Sequence, residues 1–91
     1  MNWTTLDQYD YEIDKKNWPR ELAIKIYVSD KYSVEIADIS SKINSSNNLV
    51  FVEGYRLVVT DVTVVHGNNT RAALLLHCKP TTGTRKDQSN D

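Results

Sequence analysis

The sequence predicts a small α+β protein, an antiparallel sheet of three to five strands packed with one or two helices. Three observations predict it. Residues 49–78 alternate apolar, β-branched runs with the breaks Glu53-Gly54 and Gly67-Asn68-Asn69, which is the pattern of a C-terminal meander. Residues 33–44 place Ile36, Ile39 and Ile43 on one helical stripe behind Ser33, a good N-cap type. Residues 22–28, LAIKIYV, are rich in β-branched and aromatic side chains and end at Ser29-Asp30-Lys31, as a strand does. The competing architecture is a small all-β barrel in which 33–39 is a strand, since Val34 and Ile36 alternate.

Taken in order, the first 21 residues suit either element. Trp3, Leu6, Tyr9 and Ile13 have helical spacing, whereas Tyr9, Tyr11 and Ile13 alternate as a strand would. Pro19 ends whatever precedes it or opens a helix at its first position. After the strand at 22–28 and the helix at 33–44, Ser45, Ser46, Asn47 and Asn48 form a loop. Residues 49–52 then meet 55–65 across Glu53-Gly54, where Gly54 supplies the positive φ of a two-residue turn. The long strand meets 71–78 across Gly67-Asn68-Asn69. Pairing 66 with 70 sets Val58, Thr60, Val62 and Val64 opposite Cys78, Leu76, Leu74 and Ala72.

In that register one face carries Leu49, Phe51, Val58, Val62, Val64, Leu74 and Leu76. The other carries Val50, Val52, Tyr55, Leu57, Val59, Val65 and Leu75. A sheet with one wet face should alternate more cleanly. A cover over the second face is therefore expected, either the N-terminal aromatic segment or a second copy of the chain.

Ninety-one residues fit one domain, with 1–78 as the globular unit and 79–91 (KPTTGTRKDQSND) as a polar, disordered tail. No window approaches the about 18 apolar residues of a membrane helix. The N-terminus lacks the basic start and apolar stretch of a secretory signal, and the single cysteine, Cys78, excludes an internal disulfide. A cytoplasmic protein is the expectation. The net charge of −1 argues against bulk attraction to nucleic acid or anionic membrane. Its distribution is uneven: Asp7, Asp10, Glu12 and Asp14 crowd the start, and Arg71, Lys79, Arg85 and Lys86 the last third.

Residues that could carry chemistry do not converge. Asp10, Glu12, Asp14 and Glu21 match positions 1, 3, 5 and 12 of a calcium loop, but Lys15 stands where the loop requires Gly. His77 and Cys78 are adjacent on a strand and point to opposite faces, so they cannot share one ion; His66 lies at the far end of the hairpin. Cys78 on the apolar face is an inert packing thiol. His77 lies near Asp61, with only Thr63 as a nearby nucleophile, and Ser40-Ser41-Lys42 is a common triplet. There is no Gly-rich phosphate loop and no nucleophile elbow. The expectation is a protein that is not an enzyme, with no cofactor, no metal and no evident small-molecule substrate.

Protein–protein interaction is the function this leaves, through a protein partner or self-association, with Tyr55, Leu57 and Val59 in the contact and Arg71 at its rim. Accessory proteins of phages and mobile elements often have this size and lack of motifs. The alternative is an OB-like barrel binding single-stranded nucleic acid. Tyr27, Tyr32, Phe51 and Tyr55 are interleaved with Lys25, Lys31, Arg56 and Arg71, so bases could stack while cations track phosphates. Phe51 and Arg56, cross-strand neighbours, would lead that site, with Arg71 and Lys79.

Overall fold

The computed structural model describes residues 3–28, 32–65 and 72–81. They form six strands and one helix: β1 (Thr4–Thr5), β2 (Asp10–Asp14), β3 (Leu22–Tyr27), α1 (Tyr32–Ser45), β4 (Leu49–Val52), β5 (Tyr55–Val65) and β6 (Ala73–Pro80). The strands make one sheet in the order β1-β4-β5-β6-β3-β2. All pairings are antiparallel except β1 with β4, which is parallel. The α+β class is as expected, with one strand more than the three to five anticipated.

The ambiguous N-terminus resolves into two strands at opposite edges of the sheet. β1 ends at Thr5 and β2 begins at Asp10. Five Cα steps reach at most about 19 Å, whereas flat strands would set the two edges about 24 Å apart. The sheet must therefore curl, and it forms a half-barrel. Polar contacts tie β2 and the link before it to the β4–β5 turn. The Tyr11 hydroxyl donates to Glu53 Oε2 at 2.7 Å, and the Glu53 amide donates to Asp7 Oδ1 at 3.1 Å. Trp18, in the turn after β2, meets Tyr55 edge-on at 4.9 Å between ring centroids.

The inside of the curl is the core. Leu22, Ile24 and Ile26 of β3 alternate inward and pair with Cys78, Leu76 and Leu74 of β6, all fully buried. Val50 and Val52 of β4 with Tyr55, Leu57 and Val59 of β5 complete the floor. Ile39 and Ile43 of α1 pack on it, and Leu6 is buried in the same cluster with Tyr9, Tyr11 and Ile13 against it. Helix rather than strand wins over residues 33–39, because the isoleucine stripe finds an apolar surface at helical spacing. The helix starts at Tyr32, so Ser33 lies inside it rather than at its cap. It stops where Asn47 and Asn48 take positive φ (57° and 67°), a region Asn tolerates, and the Asn48 amide donates to the Ile43 carbonyl at 2.8 Å.

The Glu53-Gly54 turn forms as expected, both residues having positive φ (50° and 85°), the two-residue hairpin geometry that matches strand twist. The β5–β6 register differs from the expected one. Val59 pairs with Cys78 but Asp61 pairs with His77, so Thr60 is an extra residue, a β-bulge. Beyond it Val62 pairs with Leu76 and Val64 with Leu74. The expected division of faces is corrected accordingly. Tyr55, Leu57, Val59, Val62, Val64, Leu74 and Leu76 share the helix side, and Phe51, Val58, Val65 and Leu75 share the other. β6 also runs on to Pro80, so Lys79 and Pro80 belong to the sheet rather than to a tail. Proline is tolerated there because the β3 pairing reaches no further than Leu22 opposite Cys78, leaving one side of the strand open among the described residues.

Candidate interaction edge

The bulge at Thr60 divides β5 into two unlike halves. The first half, from Tyr55, is paired on both sides, to β4 over residues 55–58 and to β6. The second half, residues 61–65, is paired to β6 alone among the described residues. Among the described residues its outer row of backbone groups is an open edge. Val62 and Val64 stand beside it on the helix side, 43% and 41% exposed, although their partners Leu76 and Leu74 are fully buried. Thr60 fixes the bulge by donating its hydroxyl to the His77 carbonyl at 3.0 Å.

The contact surface expected from the sequence lies elsewhere. Tyr55, Leu57 and Val59 are buried in the core, at 2%, 0% and 5% exposure, because they pair with the inward-facing Val52, Val50 and Cys78 and so share the helix side. Arg71, its expected rim, lies outside the described residues, as do the Gly67-Asn68-Asn69 loop, His66 and Lys31. Sequence reasoning missed Val62 and Val64, yet a signal for them existed. The inward positions 55, 57 and 59 are followed by 62 and 64, a break in strict alternation that marks an inserted residue.

The face without the helix carries three of the four residues of the nucleic-acid alternative, Phe51, Arg56 and Lys79, while Arg71 lies outside the described residues. Phe51 pairs with Arg56, and Val58 with Lys79, so Phe51, Arg56 and Lys79 share one end of it. Phe51 is half-buried, not in the core, and Lys79 is exposed. The other end is acidic and mixed. Asp10, Glu12 and Asp14 alternate outward along β2 beside Tyr27, Lys25 and Ala23. Glu12 accepts a hydrogen bond from the Tyr27 hydroxyl, and the Lys25 ammonium sits 5.5 Å from the Tyr27 ring centre. Between them lies an open depression of about 630 Å³ lined by Glu12, Asp14, Lys25, Leu75 and His77 among others.

His77 Nδ1 lies 3.1 Å from Glu21 Oε2, both half-buried, an ion pair whenever the ring is protonated. Asp61 is directly opposite His77 in the ladder, while Glu21 holds the ring. Cys78 is fully buried, and burial, with the Glu21 charge adding to it, pushes its thiol from 9.0 up to about 12. A thiol so protonated is a poor nucleophile. Ser40, Ser41 and Lys42 are exposed on α1, where Lys42 pairs with Asp38 at 3.2 Å. Among the described residues no three His, Cys, Asp or Glu side chains are grouped to hold a metal ion. No helix among them is long and apolar enough to cross a membrane.

The fold and edge define a small α+β protein: a curled six-stranded mixed sheet with one helix in its concave side and half a strand paired on one side only among the described residues. Comparison with known proteins returned no matching family model, no matching curated relative and no matching solved structure.

Proposed function

We propose that this chain is a non-catalytic interaction module that receives an extended protein segment as an added strand along residues 61–65. One observation carries the reading: among the described residues the half-strand has an open hydrogen-bonding edge, with two half-exposed apolar side chains at its flank, Val62 and Val64. An added strand supplies backbone partners for the first and covers the second, which is the chemistry of β-augmentation. The buried, protonated state of Cys78 is consistent with a site that does no covalent work.

Selection of random displayed peptides on the immobilised protein tests the proposal. Enriched sequences should be extended in character, with apolar residues at alternate positions, and should lose at least tenfold in affinity on Val62→Lys/Val64→Lys. Peptides that bind this variant unchanged, or no enrichment at all, overturn it.

A second reading is favoured by the placement of Phe51, Arg56 and Lys79 on one face: a short single-stranded nucleic-acid segment stacking on Phe51. It competes with the acidic end of the same face. Anisotropy of a labelled oligonucleotide at low and moderate salt decides it. Binding that weakens with salt and is lost on Phe51→Ala supports this second reading; an unchanged signal at low salt removes it.

A further inference from the structure

The segment that fits this edge is specified by the edge itself. Resting on the interaction-module reading, we propose that its occupant is residues 61–65 of a second copy of the chain, paired antiparallel about a two-fold axis through Thr63. Antiparallel partners that share a strand have residue numbers with a constant sum. Centring on Thr63 sets Thr63 against Thr63, Val62 against Val64 and Asp61 against Val65 of the other copy.

This register is self-complementary in three respects. The four half-exposed valines, two from each copy, fall on one side of the joint sheet as two cross-strand pairs, so each copy covers the apolar flank of the other. Thr63 pairs with its own kind, a favoured cross-strand combination. The two Asp61 carboxylates are placed at opposite ends of the pairing, where like charges do not face each other. Centring instead on Val62 would set Val64 against the bulged Thr60 and break the second apolar pair. The bulge also stops the pairing on one side, because a strand carrying an extra residue there cannot continue a regular ladder.

The interface is isologous and closes on two copies, since each edge is consumed by the other. A five-residue edge is short against the roughly 800 Å² per partner of a standard interface, so the dimer is weak. Association at protein concentrations on the order of tens of micromolar or above is expected.

Thiol placement reads the register directly. The native chain serves as background, because Cys78 is fully buried. Thr63→Cys and Asp61→Cys are each oxidised, and in parallel treated with a short thiol-to-thiol crosslinker, at about 100 µM protein. Thr63→Cys should give covalent dimers, since its two copies are directly opposed. Asp61→Cys should not, because its copies lie four residues apart, about 13 Å along the strand, beyond disulfide reach. Adding Val62→Lys/Val64→Lys to Thr63→Cys should abolish the link.

Equal linking at both positions, or a link that survives the lysines, places any dimer on another surface and overturns the inference. No link together with a monomeric mass by sedimentation at that concentration overturns it as well. In that last case peptides selected on the edge and lost on Val62→Lys/Val64→Lys leave the module standing with a different partner, so the two failures are distinguishable.

Discussion

Ser46 sits where the end of α1, the start of β4 and the N-terminal strand meet. Its hydroxyl lies 2.9 Å from the Ile43 carbonyl and 2.8 Å from the Leu49 carbonyl, and accepts a hydrogen bond from Thr4 Oγ1 at 2.9 Å. At 6% exposure it is the buried polar side chain among the described residues. Ser46→Ala should cost about 0.5–1.5 kcal/mol, because the single hydroxyl proton serves one carbonyl at a time, and the Ile43 carbonyl and the Thr4 hydroxyl keep the Asn48 amide and the Lys42 carbonyl as partners. A denaturant midpoint that falls with an unchanged slope would show it; an unchanged midpoint would refute the hub. Cys78 gives a second prediction. The unfolded thiol titrates near 9 and the folded one at about 12. Between those values the unfolded chain gives up a proton that the folded chain keeps, so stability is whole below pH 9 and falls as pH rises across the window. The limiting slope is about 1.4 kcal/mol per pH unit. Tyr11, held up from 10.0 to about 12 chiefly by its hydrogen bond to Glu53, acts in the same direction from pH 10, weakly because solvent screens it. Cys78→Ala should therefore lose less stability than the native chain between pH 9 and 11, measured by urea titration at each pH.

The β4–β5 hairpin depends on two residues at positive φ, of which only Gly54 has no Cβ. Gly54→Ala should cost about 1–2 kcal/mol, and a loss below about 0.3 kcal/mol would contradict the turn geometry. α1 is held by its buried stripe. Ile39→Ala should cost about 2–5 kcal/mol, while Val34→Ala, at 68% exposure, should change thermal stability little. These elements are also the ones the sequence makes legible: β3, α1, β4 and the turn after it follow from β-branched runs, an isoleucine stripe and a glycine, all local signals. β1 is not legible, because two residues carry no periodicity and their partners are about 45 residues away; β2 is only half legible, its alternation at Tyr9, Tyr11 and Ile13 competing with a helical spacing over the same residues. The candidate edge was legible only in outline. A protein contact on this strand was expected, but at Tyr55, Leu57 and Val59, since a pairing drawn from the loop alone has no room for the extra residue at Thr60. Phe51 beside Arg56 was readable, because a two-residue turn fixes its neighbours.

At the scale of the whole molecule, the strand order makes β6 indispensable. It joins β5 on one side to β3 on the other, and β3 in turn carries β2. Chains ending at residue 72 should lack cooperative unfolding, since Leu22, Ile24 and Ile26 lose the partners that bury them; a sharp transition in circular dichroism would show that β3 has another support. The curled shape follows from the same order, because the four residues between β1 and β2 must bridge both edges. That order also sets a timetable for the growing polypeptide. β3 leaves the ribosome long before its neighbour β6, some fifty residues later. At about 5–20 residues per second, the inward face of β3 waits roughly 3–10 s with three branched side chains uncovered. During that interval the nascent chain depends on whatever shelters such surfaces in the cell, and its vulnerability to aggregation is greatest just before synthesis supplies the strand that ends it.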